Sequence, residues 1–337
     1  MKILVTGGAG FIGSNFTEYM LKKYKNYKIT VFDNLTYASN PETVKKFKKY
    51  KNFSFIKGDI CNMTQVDRAV KQSDTVINFA AETHVDRSIL GPLVFIETNV
   101  KGASNLLEAA RKHGIKKFIQ ISTDEVYGSI KTGKSKEGDA LEPTSPYSSS
   151  KTSADLIALS YFKTFGVPVT ITRSSNNFGP HQHPEKFIPL FITNAMEGKP
   201  LPLYGDGKNV RNWIYVEDNC RGLDTVLHRG KPGEVYNIGG DVEEPNIKLA
   251  KIIVNKLGRE ETLIKFVADR LAHDRRYALD SSKLKKLGWK PKYTFAKALE
   301  MTIDWYSENM TWWMRLKGEA FGNYYAKNYG KKFRTKN

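Results

Sequence analysis

The feature that most restricts this chain lies at its start. The apolar run KILVT (2–6) is followed by the glycine-rich stretch GGAGFIGS (7–14), and a second apolar run, KITVFD (28–33), closes on Asp33. Glycines let a backbone turn tightly and approach a pyrophosphate, whose charge then rests on the N-terminus of the next helix. The spacing reads Gly8-x-Gly10-x-x-Gly13, with Gly7 supplying an overlapping start. Alone the pattern is weak, because a purely structural turn shares it. Its surroundings carry the argument: a strand before it, a helix after it, and a carboxylate about 20 residues on that can accept from a ribose diol. Asn34 and Leu35 follow Asp33 where an NADP site would favour Arg or Lys, so the cofactor expected is NAD.

The first half keeps this rhythm. Helical stretches near 14–23, 41–49 and 63–70 alternate with the apolar runs FSFIKGD (53–59) and DTVINFAAE (74–82). Two further strands are expected at 116–123 and 167–173, separated by a helix of about 17 residues from Tyr147. Alternation of this kind predicts an α/β fold, a doubly wound parallel (Rossmann) sheet covered on both faces. After Arg173 the pattern breaks, with Gly or Pro at 179, 180, 184, 189, 198, 200 and 202. We therefore expect a cofactor domain over 1–180 and a smaller, mixed α/β substrate lobe over 181–337, the chain returning to the first domain around 211–240.

Composition narrows the function. The 337 residues carry a formal net charge of +18, but the densest basic runs, KKYKNYK (22–28) and KKFKKYK (45–51), fall where surface helices and loops are expected. No nucleic-acid-binding module accompanies them, so nucleic acid is not an expected partner, and a phosphorylated small molecule suits the surplus equally well. Two cysteines, Cys61 and Cys220, without CxxC or a His cluster, suggest neither a disulfide framework nor a metal site. No apolar run reaches membrane-spanning length and no signal peptide is recognisable, so a cytoplasmic protein without a membrane partner is expected.

Two groups of residues carry chemistry. Tyr147 and Lys151 are spaced i, i+4 and share a helix face, where an ammonium beside a phenol favours phenolate and makes a usable base. The spacing recurs by chance, as at Tyr19 with Lys23 and Tyr204 with Lys208. Tyr147 is singled out by its place after STDEVYG (122–128), in which Thr123 ends a strand and Asp124 and Glu125 follow as adjacent carboxylates. A turn cap and a surface ion pair would explain the acids structurally. Beside Thr123 and Tyr147, an acid and base that titrate apart is the sharper reading.

At this point the chain resembles the extended short-chain dehydrogenase/reductase family, on TGGAGFIGS (6–14), Thr123 and YSSSK (147–151). More narrowly, AAETHVDRSI (80–89), STDEVYG, RSSNNFGPHQ (173–182), EKFIPLFI (185–192), LYGDGKNVRNWIYVED (203–218) and HDRRYALD (273–280) resemble the dTDP-glucose 4,6-dehydratases in order and spacing. The resemblance implies NAD-dependent dehydration of dTDP-glucose to dTDP-4-keto-6-deoxyglucose, with Thr123, Asp124, Glu125, Tyr147 and Lys151 as catalytic residues. It implies cofactor contacts at Gly7, Gly10, Phe11, Ile12, Gly13, Asp33, Asn34, Thr36, Asp59, Ile60, Ala80, Ala81, Thr98, Ser122 and Asn176, besides Tyr147 and Lys151. The nucleotide sugar would meet Glu82, His84, Thr123, Asn177, Lys186, Arg211, Asn246, His273, and Arg270 or Arg276. His84 has a structural alternative. A homodimer pairing the helices near 92–112 and from Tyr147 is implied as well, although Leu156, Leu159 and Phe162 on the second could equally be core.

Departures from the family pattern are Asn212 after Arg211, Leu271-Ala272 before HDRRY, and Ser149; the first two bear on thymidine against uridine. A UDP-glucose 4,6-dehydratase, a 4-epimerase and a UDP-glucuronate decarboxylase stay open as alternatives of the same family, and a non-catalytic NAD-sensing regulator as one of another class. A 4-epimerase needs no acidic pair, a UDP-glucuronate decarboxylase typically lacks the Asp, and a non-catalytic NAD-sensing regulator would have lost Tyr147 and Lys151.

Overall fold

The computed structural model describes residues 1–330. Twelve strands form in chain order: β1 Lys2–Thr6, β2 Lys28–Asp33, β3 Phe53–Lys57, β4 Thr75–Asn78, β5 Lys117–Thr123, β6 Val169–Ser174, β7 Asn176–Phe178, β8 Leu201–Tyr204, β9 Val210–Tyr215, β10 Val235–Ile238, β11 Val242–Pro245 and β12 Ile264–Val267. Seven make one sheet in the order β10-β6-β5-β4-β1-β2-β3, with every neighbouring pair parallel. The order reverses between β1 and β4, and in such sheets ligands bind beyond the carboxyl ends at that reversal.

The inner strands β1, β4, β5 and β6 are buried almost end to end because both faces of the sheet are covered. On β1, Ile3 and Val5 join Phe16 and Met20 of the helix Phe11–Lys23 on one face, while Leu4 joins Phe118, Leu106 and Leu107 on the other. The helix Val216–Arg229 packs Leu223 and Val226 into the first of these layers, and β10 then extends the sheet past β6. The chain thus comes back to the cofactor half before leaving it again.

The remaining elements build a second lobe. β11, β9 and β7 form a three-stranded sheet and β12 pairs with β8. A third core, around Phe178, Phe191, Trp213, Tyr306 and Trp313, holds them to the helices Phe187–Met196, Asn246–Lys256 and Phe295–Glu308. Trp312, Trp313, Phe321, Tyr324 and Tyr329 are all buried, so the aromatic C-terminal stretch is packed into the lobe as far as residue 330.

The helix expected from Tyr147 runs Pro146–Phe165. Pro146 stands in its first turn, Ser145 and Ser148 close a reciprocal capping box, and Gly166 ends it at φ 70°. The rod expected near 92–112 is not uniform. It is α-helical over Leu93–Phe95, π-helical over Ile96–Gly102 and α-helical again over Ala103–Lys112.

Candidate active site

The loops that leave β1 to β6 meet the second lobe across a cleft of about 640 Å³. Gly7 has φ 67°, and a Cβ on it would lie 2.6 Å from the Ala80 nitrogen. A Cβ on Gly13 would lie 2.3 Å from the Gly7 oxygen. Both positions exclude a side chain, and they bring the β1 loop against the helix Phe11–Lys23, whose cap residue, Gly10, offers no side-chain acceptor to its first turn. Gly7, Gly10 and Gly13 line the cleft, whereas a Cβ on Gly8 would instead strike Val31, so the working spacing begins at Gly7.

Asp33 accepts from the Ala9 nitrogen (2.9 Å), the Leu35 nitrogen (2.8 Å) and Ser39 Oγ (2.9 Å), which fixes its carboxylate at the carboxyl end of β2. Asn34 reaches Asp59 Oδ2 at 3.0 Å. Phe11, Ile12, Thr36, Ile60, Ala80, Ala81, Thr98, Ser122 and Asn176 line the same cleft, whose wall thus gathers every residue expected to hold the cofactor. The close-packed glycine cradle and the anchored acid fit NAD.

The STDEVYG segment sits beside that wall. Thr123 ends β5 and caps the short 3-10 turn Asp124–Tyr127, accepting from the Glu125 nitrogen and donating to Asp124 Oδ1, both at 3.2 Å. Asp124 is 3% exposed and its Oδ2 has no hydrogen-bond partner. Burial pushes its carboxyl up to about 8, the Glu125 charge adds to this, and Arg211 opposes it. Burial also raises Glu125, against Arg270, Arg211 and Lys186. Burial and mutual repulsion thus favour a proton on this pair of neighbouring acids, against the basic groups across the cleft.

Tyr147 and Lys151 face the same space. The Lys151 ammonium donates to the Ile121 carbonyl at 2.5 Å, and burial brings it down to about 8 with Asp155 opposing. The Tyr147 phenol is raised, first by burial and then by Glu125 and Asp124, with a hydrogen bond to Thr123 opposing. This corrects the expectation of a phenol lowered by its neighbouring lysine: the ammonium is turned to the backbone, and the two acids dominate the field at the ring.

Across the cleft stand Glu82, His84, Asn177, Lys186, Arg211, Asn246, Arg270 and His273. Arg211 is buried and anchored by the carbonyls of Val210 and Asp274. Asn176 Oδ1, Asn177 Oδ1, Asn246 Oδ1 and Arg270 Nε are buried without a partner, the arrangement of a wall built for a polar ligand. His84 lines the cleft and is also engaged by the fold: it has φ 86°, accepts from the Asp86 nitrogen at 3.2 Å, and is brought down to about 4 by burial. Arg276 is not part of the lining. Its guanidinium is taken by Glu243 (2.9 Å) and the Gly133 carbonyl (2.9 Å), which leaves Arg270 as the arginine of that turn facing the cleft.

Nor do the departures Asn212, Leu271 and Ala272 reach the cleft. Asn212 donates to the carbonyls of Gly240 and Val242, and Leu271 is 75% exposed. Residues that sequence reasoning did not single out include Gln182, Tyr204, Trp213 and Tyr329 in the lining. Asn99, behind the lining, brackets Glu82 by accepting from its nitrogen (2.8 Å) and donating to its carbonyl (3.0 Å). Tyr204 lay within a stretch that carried the resemblance, whereas Asn99 and Tyr329 had no local signal.

Residues 4–302 match the family described as GDP-mannose 4,6 dehydratase. The chain is 51% identical to the low-salt glycan biosynthesis protein Agl12 of Haloferax volcanii, over 91% of this chain and 98% of that one. It is 48% identical to a dTDP-glucose 4,6-dehydratase of Streptomyces antibioticus, over 96% and 97%. Among solved structures, DesIV (dTDP-glucose 4,6-dehydratase) from Streptomyces venezuelae, with NAD and TYD bound, matches at a TM-score of 0.92 and 46% identity, covering 94% of this chain and 100% of that one.

Proposed function

The chain belongs to the GDP-mannose 4,6-dehydratase family, and from that premise we propose that it is an NAD-dependent hydro-lyase converting dTDP-glucose to dTDP-4-keto-6-deoxyglucose. The observation that carries the reading is the buried Asp124, its Oδ2 without a partner, next to Glu125 and set in one cleft with Tyr147 and Lys151. Relatives of this chain described as dTDP-glucose 4,6-dehydratases support the nucleotide.

NAD, when bound, supplies the hydride acceptor for oxidation at C4 and the donor for reduction at C6. The protein's own residues move the protons. Tyr147 takes the proton of the C4 hydroxyl, which Thr123 Oγ1 holds in place, and Lys151, whose ammonium donates to the Ile121 carbonyl, would hold the cofactor beside the phenol. A ketone at C4 makes the C5 hydrogen acidic, and Glu125 removes it. Asp124 gives its proton to the C6 hydroxyl, which leaves as water. Elimination is then balanced by return of a proton to C5 as C6 is reduced, and the cofactor ends as it began. Lys186, Arg211, Asn246, Arg270 and His273 would bind the diphosphate and nucleoside, guanidinium being suited to phosphate oxygens.

A 4-epimerase would have no use for the acidic pair, and the buried, unpartnered Asp124 Oδ2 favours elimination. We further place the enzyme in the cytosol, as a homodimer, at the step that commits a nucleotide sugar to deoxysugar synthesis. Incubation with dTDP-glucose in heavy water tests the reaction: deuterium at C5 with loss of the C6 oxygen is expected. Recovery of dTDP-galactose alone would overturn the proposal.

A further inference from the structure

The C-terminal helix Glu319–Tyr325 and the turn that continues it to Gly330 lie beyond the family-matched residues 4–302, yet they reach the cleft. Tyr329 is 4% exposed and lines it. Asn328 Nδ2 donates to the Tyr204 hydroxyl at 2.7 Å and to Asp86 Oδ2 at 3.2 Å, and the Tyr204 hydroxyl itself donates to Asp86 Oδ2 at 3.0 Å. The three groups close a triangle that spends both amide hydrogens of Asn328. Asp86 also stands 3.5 Å from the Arg270 guanidinium, and the Tyr204 ring lies 5.9 Å from His273 and 5.6 Å from Tyr329. One turn earlier, Tyr324 covers the Arg87 guanidinium at 4.4 Å and approaches His84 Nε2 at 3.5 Å. The segment therefore joins the short helix Val85–Leu90, with its cap His84 and its residues Asp86 and Arg87, to the lobe that carries Tyr204 and Arg270.

We infer that Asn328 sets the nucleotide end of the site as a positioning residue, acting through Tyr204 and Asp86 on Arg270. A buried carboxylate that aims an arginine needs its remaining oxygen lone pairs filled, or the pair reorganises. Asn328 fills one and orients Tyr204 at the same time. The inference rests on the nucleotide-sugar reading.

The test uses the full chain with NAD and takes TDP as the probe. Asn328→Ala should weaken TDP binding about tenfold by calorimetry, the loss of one hydrogen bond to a charged group. The KM for dTDP-glucose should rise in step, with less change in kcat, and NAD affinity should stay where it is. Asn328→Asp, which sets a carboxylate against Asp86, should weaken TDP further still. A purely structural role would lower the melting temperature and leave the TDP affinity of the folded fraction at the wild-type value; that result overturns the inference. For variants that do not fold, proteolysis of the wild type decides: TDP should protect residues 319–330, and unchanged cleavage there counts against the inference. A wild-type protein that binds no TDP removes the nucleotide-sugar reading and the inference together, whereas wild-type binding with unaltered variants removes the inference alone.

Discussion

Asp124 and Glu125 cannot both ionise cheaply at a buried strand end, and the chemistry proposed for them depends on that cost. Asp124 is held up to about 8, by burial first and by Glu125 second. As the acid for the leaving C6 hydroxyl it is competent only while protonated, so kcat should fall as pH rises through about 8, with Tyr147-dependent NADH formation persisting. Asp124→Asn with Glu125→Gln should form enzyme-bound NADH and release product at least ~100-fold more slowly, the usual size of an acid-base contribution. Tyr147→Phe should form no NADH. Stability gives an independent check. The folded chain binds the Asp124 proton more tightly than the unfolded chain, so stability falls as pH rises from the ordinary 3.8 towards about 8. Asp124→Asn should therefore melt above wild type at pH 8, with a smaller gap at pH 5; an equal gap at both would remove the buried acid. These residues were legible in the sequence because the reaction requires particular types at particular places. Their surroundings were not: Tyr19 and Lys23 have the spacing of Tyr147 and Lys151, yet both are spent on the buried Asp224 of the helix Val216–Arg229. The choice between Arg270 and Arg276 depended on which side of one loop each residue leaves, and six positions of sequence do not encode that.

Among the elements, the π-helical turn Ile96–Gly102 has the most specific task. It brings the buried Asn99 side chain to Glu82 and to Ser150 Oγ (2.8 Å), so one amide ties the loop after β4 to the helix that presents Tyr147. Gly102 completes the fit, since a Cβ there would lie 2.5 Å from Ile60 Cδ1 beside the cofactor wall. Asn99→Ala strands the Glu82 nitrogen and carbonyl and should cost roughly 2–4 kcal/mol in urea unfolding. The same variant should raise KM for the sugar nucleotide, because the Glu82 and His84 loop loses its tether. Alternating apolar runs and glycines located the sheet and its helices to within a few residues. The π turn left no such trace, because one extra residue per turn preserves an amphipathic stripe over so short a span. Local geometry also escaped at His84, φ 86°, and Ala272, φ 50°, where non-glycine residues hold left-handed backbone that only the assembled lobe imposes.

At the scale of the whole molecule, the unanswered surface is apolar. Leu90, Leu93, Val94 and Ile96 are 46%, 78%, 48% and 48% exposed on the segment 90–96, and Leu156 and Phe165 are 55% and 53% exposed on the helix Pro146–Phe165. The stripe read from sequence on that helix divides: Leu159 and Phe162 pack into the layer under the sheet, and Leu156 points outward. Periodicity alone could not separate the two, because a helix buried against its own sheet and a helix buried against a second copy need the same spacing. An exposed apolar patch of this kind suits the proposed two-fold interface, in which each copy would offer the same two helical segments to the other and bury about 1,200–2,000 Å² in total. Sedimentation equilibrium should give twice the monomer mass. Leu93→Glu combined with Leu156→Glu places unpaired charges at the centre of that patch and should give the monomer, with TDP affinity retained because neither side chain lines the cleft. A wild-type monomer at micromolar concentration would mean that these leucines serve something other than a second copy of the chain.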